Sequence, residues 1–191
     1  MKIVLHICCG VCAAGVVERL TSEGHEVLGL FYNPNIHPPE EYNKRLEVAY
    51  QVAKELSFSL VVLPYTSEEW FRETNSLANE PEGGKRCEVC FRIRLQRAYF
   101  YMEDRGCDAF TTTLTISPRK SVEVINRVGR EIGGEKFLAR DFKKKEGFKR
   151  ATELTKKWAL YRQNYCGCVY SMKTNSNPTY QQPDFLKSEQ A

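Results

Sequence analysis

Residues 2–20 run KIVLHICCGVCAAGVVERL, and their pattern decides the fold. Positions 2–7 are mostly aliphatic and suit a short buried strand. The following AAGVVERL sets Ala13, Val16, Val17 and Leu20 on one buried helical face. Between the two lies Cys-Cys-Gly-Val-Cys, a strand-to-helix turn made of sulfur and glycine. The same order then repeats along the chain. Further strands are predicted over 26–32, 60–63, 108–113 and 136–139. Helices are predicted over 40–56, 68–77, 90–102, 121–132 and 152–161. The 40–56 helix is amphipathic, with Tyr42, Leu46, Ala49, Tyr50 and Ala53 near helical spacing. The segments NPNIHPP (33–39) and NEPEGGKR (79–86) are loops by their proline, glycine and asparagine content.

Strands alternating with helices specify an α/β domain with a mostly parallel sheet flanked by helices. It is expected as one domain over 1–171, followed by a polar, irregular tail over 172–191. In such sheets ligands collect beyond the carboxyl ends of the strands. Cys8 and Cys9, the loop at 33–37 and the run at 111–120 are therefore expected on one rim.

With 42% hydrophobic and 27% charged residues over 191 positions, the chain can fill a core, which excludes wholesale disorder. A net charge of +4, from 28 basic and 24 acidic residues, permits a nucleic-acid partner without arguing for one. No apolar run approaches the roughly 18 residues of a membrane helix. The first residues also lack the long apolar run and cleavage site of a secretory leader. The expectation is a cytoplasmic chain with no membrane partner.

Eight cysteines carry the chemical signal. Seven fall in three tight groups: Cys8, Cys9 and Cys12; Cys87 and Cys90; Cys166 and Cys168. In a reducing compartment such clusters are metal ligands or redox catalysts rather than a disulfide framework. Cys8 and Cys9 reach one site only if the chain bends after the strand, which Gly10 allows. Cys12 belongs on the first helical turn, where partial positive charge favours a thiolate. Cys87 and Cys90 lie about one helical turn apart. Together the first two groups supply the four or five thiolates of an iron–sulfur or all-cysteine zinc site. Spacing alone leaves both metals open, although the adjacent pair departs from two separated C-x-x-C knuckles. The Cys166-Gly-Cys168 group suits either a small strained disulfide or further metal ligands. Cys107 stands apart and is expected in the core.

The weaker candidates keep two readings each. His6 shares strand parity with Cys8, so it either lines the site or is a satisfied core histidine. TTTLTISPRK (111–120), with Ser117 and Lys120, suits a phosphate at a helix start or a simple cap and turn. DFKKKEGFKR (141–150) packs five cations between aromatics, suiting an RNA backbone or a solvated charged face.

Taken together, HICCGVC (6–12), YNPNIHPPEEYNKR (32–45), RCEVCFRIRL (86–95), FTTTLTISPRK (110–120), DFKKKEGF (141–148) and LYRQNYCGCVYS (160–171) resemble the QueH family of epoxyqueuosine reductases, in the family's order. The resemblance implies the last step of queuosine synthesis. In that step an epoxide on a modified guanosine of a tRNA anticodon is reductively deoxygenated to a cyclopentene, without cobalamin. It implies a fold of the nucleotide alpha-hydrolase or ATP-pyrophosphatase type, but HICCGVC lacks that type's phosphate grip, so ATP use is not expected. By motif, Cys8, Cys9, Cys87 and Cys90 would bind a [4Fe-4S] cluster, and Cys166 with Cys168 would be a redox-active pair. The family also carries a second iron, for which Cys12 is the available ligand. Asn33, Asn35 and His37, with Ser117 and Lys120, are the expected substrate contacts. The implied partners are tRNA carrying epoxyqueuosine and an electron donor the sequence does not identify. Two rivals from other classes are a zinc-stabilised RNA-binding module and an ATP-dependent tRNA thiolation enzyme.

Overall fold

A computed structural model describes residues 1–172. The expected tail thus lies outside the described residues, except for Met172. Four parallel strands, β1 (Lys2–His6), β2 (Glu26–Phe31), β3 (Ser59–Val62) and β4 (Ala109–Thr112), form a sheet in the order β3-β2-β1-β4. Helices α1 (Gly10–Ser22), α2 (Pro39–Glu55) and α6 (Gly147–Lys157) belong to one face. Helices α3 (Ser67–Thr74), α4 (Lys85–Asp104) and α5 (Val122–Gly133) belong to the other. The two faces follow from the parity of β1. Ile3, Leu5 and Ile7 pack with α1, α2 and α6, while Val4 joins Phe91, Leu95 and Ile125 of α4 and α5. Burial on both sides is what a parallel sheet requires.

From β1 the chain steps one way to β2 and β3, then crosses back to place β4 on the far side of β1. The reversal makes the carboxyl ends of β1 and β4 the switch point, where a crevice opens in this class of sheet.

Three expectations are corrected in detail. The strand at 136–139 is reduced to one bridge, Phe110 to Phe137. Next to it the Thr111 hydroxyl takes the Leu138 carbonyl at 2.8 Å, so a side chain holds the group a continuing ladder would use. The buried face of α2 is rotated: Tyr50 is exposed, and Val48, Val52 and Arg45 point inward. Arg45 is drawn in by Glu41, whose carboxylate accepts from Nε at 2.7 Å. Helix α4 starts at Lys85, so Cys87 and Cys90 both lie within its first two turns. Among the described residues no helix is long and apolar enough to cross a membrane.

Candidate active site

The site grows from the switch point. Just past β1, the Cys8 amide donates to Thr113 Oγ1 at 3.0 Å, and the Thr113 hydroxyl donates to Cys8 Sγ at 3.3 Å. One threonine beyond β4 therefore fixes both ends of Cys8. Cys9 is the N-cap of α1: its sulfur accepts from the Cys12 amide at 3.4 Å and from Gln163 Nε2 at 3.1 Å. The three sulfurs of Cys8, Cys9 and Cys12 lie within 4.8 Å of one another. No other group of three or more potential metal ligands is that close among the described residues.

Their ionisation is shared. Hydrogen bonds from Cys12 and Cys9, helped by the Lys120 charge and the Thr113 hydroxyl, hold the Cys8 thiol well below its ordinary value despite burial. For Cys12 the same bonds, seen from the donor side, act with burial to push the thiol well above its ordinary value. The bond from Cys12 favours a Cys9 thiolate, but the bond to Cys8 and burial outweigh it and raise that thiol to about 12. The three thiols thus hydrogen-bond to one another, and a cation joining them would take the place of their protons, as at a metal-binding group.

Two adjoining cavities open here, and Cys8 and Cys12 of this triad line one of them. The larger, about 520 Å³, is lined by Cys8, Cys12, Asn33, Ser117 and Gln163 among others. The smaller has Cys87, Cys90, Cys166 and Cys168 in its wall, with Trp70. Asn35, Glu82, Arg94, Arg119, Lys120 and Cys166 line both. Cys166 is thus in the wall of both cavities, with Cys8 and Cys12 in the larger and with Cys87, Cys90 and Cys168 in the smaller, and Cys9 lines neither. All eight cysteines are free thiols. Burial raises the Cys90 thiol, and it raises Cys168 to about 11. For Lys120 burial works against the charge, yet the neighbouring sulfurs of Cys166, Cys8 and Cys12 outweigh it and the ammonium is held more firmly than usual.

Buried arginines hold the elements around the sulfurs. Arg45 donates to the Cys166 carbonyl at 2.8 Å and the Tyr165 carbonyl at 3.2 Å. The segment carrying Cys166 and Cys168 is further tied by the His37 amide to the Gly167 carbonyl, 2.8 Å, and by the Tyr165 hydroxyl to the His37 carbonyl. Arg94, 2% exposed, gives Nε to the Cys90 carbonyl at 3.0 Å and keeps a buried Nη2 with no partner.

Asn33, Asn35, Ser117 and Lys120 line the larger cavity. His37 lines neither: its ring is stacked on Phe71 at 4.6 Å and Trp70 at 5.2 Å, and burial lowers its pKa to about 4. His6 is a satisfied core histidine, bonded to Thr112 Oγ1 at 2.9 Å and to the Tyr32 carbonyl at 3.2 Å. Cys107 is buried ahead of β4, at the opposite end of the strand from the rim. In the basic run, Arg150 is paired with Glu18 and Glu153, and Lys149 with Glu146. Phe148, with the Arg162 guanidinium 5.8 Å from its ring centre, reaches the cavity wall.

Sequence reading missed Arg45, Arg94, Thr113 and Gln163. For Arg94 a signal was present, since Arg86, Cys90 and Arg94 recur every four residues on one helical face. Gln163 gave none, because its partner Cys9 is 154 positions away.

A family model described as Epoxyqueuosine reductase QueH matches residues 3–174. Proteins of that name from Streptococcus pyogenes serotype M1 and Thermotoga maritima are similar to this chain. The first is 38% identical over 181 residues, covering 90% of this chain and 71% of the relative. The second is 36% identical over 178 residues, covering 89% and 90%. Among solved structures, the U34-tRNA thiolase NcsA from Methanococcus maripaludis with its [4Fe-4S] cluster superposes with a TM-score of 0.53 at 12% identity, covering 91% of this chain and 62% of that one. The NMN synthetase from Francisella tularensis gives 0.52 at 15% identity, covering 97% and 76%. At these identities the two structures share the fold alone, whereas the sequence matches run along nearly the whole chain. The chain belongs to the QueH family of epoxyqueuosine reductases, which are oxidoreductases.

Proposed function

We propose that the protein reduces epoxyqueuosine to queuosine in tRNA, with a [4Fe-4S] cluster held by Cys87, Cys90, Cys166 and Cys168 and one iron held by Cys8, Cys9 and Cys12. The observation that carries this reading is that Cys87, Cys90, Cys166 and Cys168 share the wall of the smaller cavity, while the sulfurs of Cys8, Cys9 and Cys12 lie within 4.8 Å of one another and Cys8 and Cys12 line the larger. This proposed division differs from the one the resemblance implies by motif, and the wall that Cys166 and Cys168 share with Cys87 and Cys90 supports it. The donor set fits the groups. Four cysteines suit a cluster, and three sulfurs within 4.8 Å of one another suit a single cation. The unpartnered Arg94 Nη2 and the Lys120 ammonium suit the net negative charge of a thiolate-ligated cluster.

When bound, the cluster supplies electrons singly and the iron supplies a Lewis acid. Opening the epoxide to an alkene takes two electrons and two protons and releases one water. The chain's own residues provide the vessel. Asn33 and Asn35 present buried acceptors, Oδ1 of each having no partner. Leu114 and Ile116 make part of the wall apolar. Arg119, Arg162 and the exposed ring of Phe148 surround the larger cavity with groups that suit a phosphate backbone and a stacked base.

Iron and acid-labile sulfide analysis of anaerobically purified protein tests the reading. Four or five irons with about four sulfides, and visible absorbance bleached by dithionite, are expected for a cluster with one extra iron. Serine at Cys87, Cys90, Cys166 or Cys168 should abolish that absorbance, and serine at Cys8 or Cys12 should remove only the extra iron. Absorbance retained in Cys166→Ser and Cys168→Ser, with turnover lost, would make that pair a dithiol instead. One zinc without sulfide would overturn the reductase in favour of a zinc-stabilised RNA-binding module.

A further inference from the structure

The walls of the two sulfur-bearing cavities are cationic, with Arg45, Arg94, Arg119, Lys120 and Arg162 among them. Against these stands one carboxylate. Glu82 is the sole acidic side chain in either wall among the described residues, and it belongs to both, where the cavities meet. No hydrogen bond or ion pair engages it among the described residues. Glu80, two positions earlier, is by contrast bonded to the Lys85 amide at 3.1 Å.

The loop that carries Glu82 is pinned. The Gly83 amide donates to Cys87 Sγ at 3.2 Å, and Gly83 adopts a φ of 90°, in the region open chiefly to glycine. The Arg86 guanidinium collects the carbonyls of Leu77, Ala78 and Glu80 at 3.0, 2.8 and 2.5 Å. The backbone on either side of Glu82 is thereby fixed where the two cavities meet.

Such a wall selects a ligand with a cation at the junction and hydrogen-bond donors further in. Asn33 Nδ2 donates to the Ile7 carbonyl at 2.9 Å. Its Oδ1 is therefore an acceptor by necessity. That oxygen and Asn35 Oδ1 are buried, unpartnered and in the cavity-lining residues. An unmet buried acceptor is costly unless a ligand supplies the donor. Epoxyqueuosine matches this pattern. Its deazapurine is joined to the epoxycyclopentane diol through a secondary amine, which is protonated at neutral pH, and its diol and exocyclic amine are donors.

We infer that Glu82 is the counter-ion of the substrate's bridging ammonium and so distinguishes the modified nucleoside from plain guanosine, which has no such charge. Without it neither wall would offer that ammonium a carboxylate among the described residues. The inference rests on the reductase reading above, and its test separates the two.

Metal-loaded wild type and Glu82→Gln would be compared for anaerobic binding of one tRNA in two forms, with epoxyqueuosine and with guanosine at the modified position. Wild-type turnover of the modified tRNA is measured alongside. The substitution is expected to weaken binding of the modified tRNA by about tenfold, a charged hydrogen bond discounted for the exposure of Glu82. It should raise KM more than it lowers kcat, and Glu82→Asp should recover part of the loss. Binding of the guanosine form should hold or tighten slightly, because removing a negative charge favours any polyanion. A general change of field thus has the opposite sign. Equal effects on both tRNAs, or no effect on either, in an enzyme that turns over would overturn the assignment and leave the reductase standing. Absence of wild-type turnover would overturn the reductase reading and the assignment with it.

Discussion

Thr113 shows how one side chain organises a site. Its hydroxyl accepts the Cys8 amide and donates to the Cys8 sulfur, so the residue just past β4 positions both the backbone and the sulfur of the residue just past β1. His37 works the other way, through apolar contact. Its ring sits against Trp70 and Phe71, and burial lowers its pKa from 6.5 to about 4. The unfolded chain then binds a proton that the folded chain refuses. The stability from this residue is full above pH 6.5 and falls as the pH drops toward 4, by on the order of 3 kcal/mol in all. His37→Phe should keep the stack and flatten that part of the profile, as urea unfolding at pH 7 and pH 5 would show. An unchanged slope would mean that His37 is not a source of the acid sensitivity.

At the scale of elements, the approach of α1 to α2 decides where the triad can form. A Cβ at Gly10 would stand 2.5 Å from the Val48 carbonyl oxygen and 2.6 Å from Val48 Cγ1. The first of these is backbone and cannot rotate away. Gly10→Ala should therefore cost about 1–3 kcal/mol in unfolding free energy, as overpacking does. Because Gly10 separates Cys9 from Cys12, it should also lower the iron retained by the triad; normal iron content in a destabilised protein would uncouple the two. Elements were also where the sequence was most legible. The parity of β1 and the spacing of Ala13, Val16, Val17 and Leu20 placed the central strand, its helix and Cys12 on the first turn. The α2 face was misjudged because Arg45 reads as surface until its acceptors are known. Those acceptors, Glu41 apart, are carbonyls some 120 positions later. Which cysteines share a cavity wall was illegible for a related reason. Local spacing defines each pair, and only the crossing of the sheet decides which pairs meet.

Across the whole molecule, much of the basic character is internally matched. Arg150, Lys149 and Arg127 are paired with carboxylates, and Lys144 and Lys145 have no carboxylate partner within 4.0 Å among the described residues. With Arg119 and Arg162 at the cavity they are among the cations available to a phosphate backbone. Replacing Lys144 and Lys145 together by glutamate should weaken tRNA binding and flatten its salt dependence, by about 0.7–0.9 in slope for each phosphate that is no longer neutralised. Titrations at two or more salt concentrations would show this, and an unaltered slope would remove the two lysines from the interface. The span between Cys9 and Gln163 has a consequence in time. At ribosomal rates of roughly 5–20 residues per second, the 154 positions between them take roughly 8–30 s to synthesise. Through that interval Cys8, Cys9 and Cys12 exist before the glutamine, and before Cys166 and Cys168. The Gln163 bond that steadies the Cys9 sulfur can therefore form only after nearly all of this sequence has been translated, and until then the first three sulfurs stand without it.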